Sequence, residues 1–373
     1  MEGHREKLLV FNCHEAWVHQ LGLLDYDLDI ICDLPGHHAT GWDTHVRPLP
    51  RHTRIVSLEE AVTSPGPYTC IIAHNPTDLL DVRDRPEPRI LVLHVQLQHR
   101  MDEGGSRLDS DQVRRTLHQY TQLTGVHVVA VSRFKGASWG FAEDIVPFAV
   151  DPNDYPLCTG EIACGLRICN FIQRRRKVLH WAFHEQAFRG LPVRVVGHNP
   201  GVPDTAPSRD WDHLKELLRT HRFYIHTAHP DLEDGYNMAT TEAMAAGLPI
   251  LGNRHPTSIV EHGVNGFVSN DPDELRRYAR TLLEDRDLAL KMGQQARLTA
   301  QERFSPQAFR SGMERAIESA CLKRQFAQAP LPDRPAGRPV PQRIRVVEVP
   351  RRPGGTSSRT PTGSDDVAAA EGR

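Results

Sequence analysis

The chain has 373 residues, enough for two ordinary domains and a tail, and 39% hydrophobic against 25% charged residues suits packed cores. A formal net charge of −2 gives no global field that would favour nucleic acid or an anionic membrane. Seven cysteines with no Cys-x-x-Cys spacing argue against a disulfide framework or a structural zinc site and fit a reducing compartment, so the cytoplasm is expected.

The N-terminus carries Glu2, Arg5, Glu6 and Lys7 ahead of a short apolar run and does not read as a signal peptide. Short apolar runs of strand character follow at 8–13, 29–34, 68–75, 89–95, 126–132 and 144–150. Several are apolar throughout rather than alternating, which suits parallel strands covered on both faces. Between them lies a helical stretch at 110–124, which Asp109 or Ser110 could cap. The pattern then restarts: a strand at 165–172, an amphipathic helix at 177–188, a strand at 191–199, a helix at 211–220, a strand at 222–228, a helix at 238–246 and a strand at 248–253. Helices are predicted over 271–285, 286–304 and 305–322. Strand–helix alternation of this kind means α/β layers. We expect one Rossmann-like, doubly wound unit over 1–155 and a second over 156–325. The segment 326–373, rich in Pro, Arg and Gly apart from a strand-like run at 343–349, is expected to be disordered. No run of about 18 apolar residues occurs, so no membrane span is predicted and membrane contact is at most peripheral.

The most informative stretch is 226–253. A strand ends near Thr227, a polar bend follows, helix formers begin at Met238, Gly247 stops the helix and Pro249 opens the next strand. The bend therefore delivers the chain to a helix start at the carboxyl edge of a parallel sheet, where ligands bind in open α/β folds. The unpaired amides at such a start, at Met238 and Ala239, suit a phosphate. Asp234 lies in the bend and Glu242 about one turn inside the helix; the first can reach sugar hydroxyls and the second a ribose diol. Gly235 permits close backbone approach, and Asn237 tolerates positive φ. Taken alone, the two acids also fit a turn residue and a favourable acid near a helix start.

This segment resembles the donor-binding signature of the retaining glycosyltransferases of family 4, the glycosyl transferases group 1 family, which have the two-domain GT-B fold. Asp234, Gly235, Tyr236, Asn237, Glu242, Ala243, Met244, Ala245, Gly247 and Pro249 stand at the matching places. Asp234 replaces the usual Glu, unless Glu233 is the working acid, and Asn237 replaces a second Gly. The glycine-rich loop usual near the N-terminus is replaced by residues 12–22. The resemblance extends weakly over most of 7–322. It implies two Rossmann-like domains facing each other across a cleft and transfer of a sugar from a nucleoside-diphosphate donor, with retention and without a metal or other cofactor. In the resembling family the leaving phosphate takes the acceptor's proton. Basic residues after the first strand of the second domain compensate the diphosphate, which points to Arg175 and Lys177, with Asn170 at the usual Arg position. Arg can contact phosphate bidentately.

His14, His74 and His94 sit at the ends of N-terminal strands and could meet the donor or acceptor, although a histidine so placed is, taken singly, more often a structural one. His-Asn-Pro at 198–200 and His-Thr-Ala-His at 226–229 lack a third-ligand pattern, and no metal site is assigned. The absence of Gly-x-G-x-x-G after the first strand, of a phosphate-binding Gly-Lys-Ser/Thr loop and of a nucleophile elbow disfavours hydride transfer, ATP hydrolysis and esterase chemistry. The expected partners are a nucleotide-sugar donor and an acceptor left open among a glycan, a lipid and a small molecule, with no nucleic acid. Two alternatives stand beside transfer: a non-catalytic nucleotide-sugar-binding protein and a sugar-nucleotide epimerase on the same fold.

Overall fold

The structure, a computed structural model, describes residues 5–34, 41–64, 66–103 and 109–328. The run at 343–349 and nearly all of the predicted tail lie outside these residues; its first three, 326–328, continue a helix.

Two parallel sheets organise the chain. The first contains β1 (Lys7–Phe11), β2 (Asp27–Ile31), β3 (Thr53–Val56), β4 (Cys70–Ala73), β5 (Arg89–Leu93), β6 (His127–Ala130) and β7 (Asp144–Ile145), in the order β3-β2-β1-β4-β5-β6-β7. The second contains β8 (Ile162–Ile168), β9 (Val193–Val196), β10 (His221–Ile225), β11 (Ile250–Gly252) and β12 (Gly266–Val268), in the order β12-β11-β10-β8-β9. All paired strands are parallel. β1, β4 and β5 are almost entirely buried along their length, as their unbroken apolar runs require. In each sheet the strand order reverses beside its first strand, between β1 and β4 in one and between β8 and β10 in the other. Such switch points leave a crevice at the carboxyl ends of the strands.

The elements 211–220 and 238–246 form as read from the sequence, because a capping Asp210 or Asn237 starts each one and the apolar pattern runs to its end. Asp109 caps the helix Ser110–Thr124. Other expectations need correction. The run 144–150 makes only the two-residue β7; beyond it, Val146, Phe148, Ala149 and Val150 are buried, and the Val150 amide bonds to the Phe304 carbonyl, 2.9 Å away. The helix predicted over 177–188 is confined to Trp181–Ala187, because His180 takes a left-handed conformation (φ 47) that ends the preceding turn. β3 and β12 were not anticipated; both lie at the outer edge of their sheets, and β3 is only partly buried. The long helix Pro306–Gln328 lies against β4, β5 and β6 of the first sheet, with Phe309, Met313, Ala316 and Ala320 in its core. The last helix of the span read as the second unit thus packs on the first sheet.

The helix Met238–Ala246 is apolar on every side from Ala243 on, and it is buried on every side from Thr240. The helix Arg286–Arg303 crosses it so closely that a Cβ added at Gly293 would collide with the Gly247 carbonyl oxygen. Arg297 donates to the Ala245 and Pro152 carbonyls, satisfying an acceptor at the helix end. Gly247 ends the helix in the left-handed region (φ 86), where a side chain would be strained. The helix is consequently held by rigid packing, and its start is fixed in space.

Candidate functional site

The carboxyl ends of the two sheets face a common cleft of about 1220 Å³. From the first sheet it is lined by Cys13 and His14 after β1, His74 after β4 and His94 after β5; from the second, by Cys169 and Asn170 after β8 and by Asn237, Met238 and Ala239 beyond β10. The two crevices predicted by the strand orders are thus one site.

The helix start opens into this cleft. Asn237 is in the extended region (φ −145) and not at positive φ; its side chain accepts from the Thr240 amide at 2.9 Å and from the Thr240 hydroxyl at 2.8 Å. Its place is therefore that of an N-cap. The first-turn amides of Met238 and Ala239 have no partner within the helix and stand at the cleft wall.

Glu242 also lines the cleft and is 5% exposed. Its carboxylate is ion-paired to Arg47, which comes from the loop after β2 in the first half of the chain and is itself 5% exposed. The Arg47 guanidinium lies 4.6 Å from the ring centroid of Trp211, a cation–π contact from the second half. The pair bridges the two halves across the site.

The structure places the two candidate acids of the bend differently. Glu233 lines the cleft, whereas Asp234 points beneath it, accepting from the Ser132 hydroxyl at 2.7 Å and lying 3.6 Å from the Lys135 ammonium. Lys135 reaches Glu233 at 2.9 Å, and Arg175 stands 3.7 Å from the same carboxylate. Burial works against ionisation of Glu233, but Lys135, then Arg175 and the Asp234 amide, win and hold its pKa down at about 2. Burial likewise disfavours the Lys135 ammonium, and the two carboxylates nonetheless raise its pKa. The Glu233 carboxylate and the Lys135 ammonium are therefore both held in their charged forms in one partly closed corner.

Gly235 and Tyr236 do not line the cleft. A Cβ on Gly235 would meet the Ser258 amide at 2.7 Å and His255 Nδ1 at 2.9 Å, so the glycine permits the approach of another loop of the protein itself. Tyr236 packs against Phe148 and Phe304, with centroids 6.0 and 5.3 Å away. Lys177 is exposed and stands outside the cleft, because the turn after Arg175 directs it to solvent. Asn170 lines the cleft, its side-chain oxygen accepting from the His198 amide at 2.8 Å.

His14, His74 and His94 all reach the cleft. His74 Nδ1 is 2.8 Å from His94 Nε2, which is 3.7 Å from Cys13 Sγ. Trp17 packs edge-on against both rings, at 4.9 and 5.0 Å. Burial, then the neighbouring His74 and Lys135, keeps the His94 pKa well below the ordinary histidine value, so its ring is neutral.

Arg47, Lys135 and Trp211 are site residues that reading the sequence missed. Each lies far along the chain from the residue it serves, and none stands in a motif.

Comparisons with known proteins bear on the family and the fold. Residues 205–299 match the protein family described as glycosyl transferases group 1. No curated protein sequence matches the chain. Among solved structures, the chain is similar to HepE of Anabaena in complex with UDP and glucose, with TM-score 0.62, 14% identity and coverage of 85% of this chain and 100% of that one. It is also similar to the sucrose-phosphate synthase of Thermosynechococcus elongatus, with TM-score 0.61, 13% identity and coverage of 86% and 99%. An α-glucosyltransferase in complex with UDP and a DNA containing an HMU base aligns with TM-score 0.59, 11% identity and coverage of 84% and 100%. The fold is the α/β GT-B fold of glycosyltransferases. Among the described residues, no helix is long and apolar enough to cross a membrane.

Proposed function

We propose that the protein is a retaining glycosyltransferase that moves a hexosyl group from a nucleoside-diphosphate sugar to an acceptor, acting in the cytoplasm. The observation that carries this reading is the start of the helix Met238–Ala246. Its first-turn residues Met238 and Ala239 line the cleft, Arg175 lines the same cleft, and Glu242 stands one turn deeper in the helix.

In this reading the diphosphate sits against the Met238 and Ala239 amides and the Arg175 guanidinium, fixed donors that stabilise the charge developing as the glycosidic bond breaks. Those groups compensate the diphosphate without a metal ion. Glu242 accepts hydrogen bonds from the ribose diol. A diol there takes the place of the Arg47 guanidinium, which is then free to turn to phosphate. Glu233, and not Asp234, contacts the sugar, while Lys135 and Arg175 keep it ionised. Asp234 and Ser132 position Lys135 from below. His14, on the opposite wall, faces the acceptor. The leaving phosphate takes the acceptor's proton, so no protein base is required, and a closed cleft excludes water. The UDP in the HepE complex supports testing uridine donors first.

A panel of nucleotide sugars, scored by thermal stabilisation and by released nucleoside diphosphate, tests the proposal. Stabilisation together with release supports transfer. Stabilisation without release for any acceptor class supports a binding protein, and a changed sugar on an intact nucleotide supports an epimerase.

A further inference from the structure

We propose that Cys13, His74 and His94 form a zinc site in the wall of the cleft contributed by the first sheet. This goes beyond the transfer reaction, whose diphosphate cradle belongs to the second sheet.

The site follows from the topology. β1, β4 and β5 are adjacent in the sheet and end side by side, about 4.8 Å apart from one strand to the next. Each then delivers a ligating side chain: Cys13 two residues past Phe11, His74 next after Ala73 and His94 next after Leu93. One ligand atom from each of the three lies within 4.8 Å of the others.

One distance already suits zinc, and a second needs a small adjustment. With Zn–S about 2.3 Å, Zn–N about 2.0–2.1 Å and tetrahedral angles, S···N separations are about 3.6 Å and N···N about 3.3 Å. The Cys13 Sγ to His94 Nε2 distance is 3.7 Å and fits as it stands. The His74 Nδ1 to His94 Nε2 distance is 2.8 Å, so these rings must part by about half an ångström to admit the ion. Trp17, edge-on to both rings, fixes their planes and supplies an apolar wall, as ordered metal sites require. One thiolate and two imidazoles select zinc over magnesium or calcium, which prefer oxygen.

Among the described residues, no fourth His, Cys, Asp or Glu joins the group. All three ligands border the cleft, so the fourth position opens there, toward a water or a hydroxyl oxygen of a bound molecule. On binding, the Cys13 thiol gives up its proton to solvent, the sulfur bonds to the ion, and the imidazoles offer lone pairs in place of the hydrogen bond they share. His74 and His94 lie 20 residues apart, and Cys13 is 81 residues from His94, so no spacing motif exposes the set.

The test uses the full chain, purified reduced, stripped with a chelator and titrated with Zn²⁺ against a chromophoric competitor, then with Co²⁺. We expect one tight equivalent of zinc, an intense tetrahedral Co²⁺ spectrum, and a sulfur-to-cobalt charge-transfer band that Cys13→Ser abolishes. Cys13→Ser and His94→Ala should each weaken zinc binding by about 100-fold or more, since even outer-shell changes cost about 10–100-fold. A wild-type Co²⁺ spectrum that is octahedral and lacks the sulfur band would overturn the proposal with no variant needed. Equal zinc affinity in wild type and a folded Cys13→Ser variant would overturn it as well.

Discussion

The two walls of the cleft are built differently. On the second-sheet wall the bend, cap, helix start and buried acid form one contiguous piece of chain within 233–242, beside Cys169, Asn170 and Arg175 from the stretch after β8. The first-sheet wall gathers Cys13, Arg47, His74, His94 and Lys135 from separate connections. A contiguous wall carries its geometry in local rules of capping and helix period. A dispersed wall depends on which strands lie side by side.

The sharpest way to break this comparison is the contact that joins the walls. Glu242→Ala should abolish transfer and also destabilise the protein by about 3–5 kcal/mol, because Arg47 is left buried without its partner. Arg47→Ala should cost a similar amount, and the double variant clearly less than the sum. Additive melting shifts would show that the pair does not couple the walls.

The next test is acid titration. The folded-state pKa of Glu233, about 2, lies below the ordinary value of 4.5. This carboxylate therefore contributes stability that is fully present above about pH 4.5 and is lost as pH falls toward 2. Its share is about 3 kcal/mol at most. Glu233→Gln should flatten that part of the stability–pH curve, and an unchanged curve would contradict the Lys135 contact.

Kinetics should then separate neighbours in the bend. Glu233→Gln is expected to lower kcat by about 100-fold, the size of a lost transition-state contact. Asp234→Asn should lower the melting temperature more than kcat, since that side chain, beneath the cleft, holds Ser132 and Lys135 in place. The reverse result would return the sugar contact to Asp234.

The smallest effects distinguish the two basic candidates. Arg175→Ala should raise the donor KM by about tenfold, as for a charge-assisted hydrogen bond. Lys177→Ala, at an exposed position, should change stability by under about 0.5 kcal/mol and leave KM unaltered.

The legible part of the site was its backbone. Helix formers from Met238 and the stop at Gly247 set out the helix 238–246, although the capping role of Asn237 was not read. Side-chain direction in the bend was not legible. Glu233 and Asp234 are adjacent, and which one faces the cleft depends on where Ser132 and Lys135 stand, about a hundred residues earlier. Tyr236 and Gly235 occupied motif positions, yet one meets Phe148 and Phe304 and the other the loop at 255–258. The edge strands β3 and β12 escaped notice because short, partly exposed runs carry weak patterns.

What residue order alone determined here is everything governed by contacts a few positions apart: parallel strands from unbroken apolar runs, helix limits from caps, and a helix start aimed at a sheet edge. Only the tertiary structure decided which side chains meet across that edge, that Arg47 finds Glu242, and that Cys13, His74 and His94 converge. The reason is physical: strand order and the stacking of two sheets are set by burial summed over the whole chain, and no local rule carries that sum.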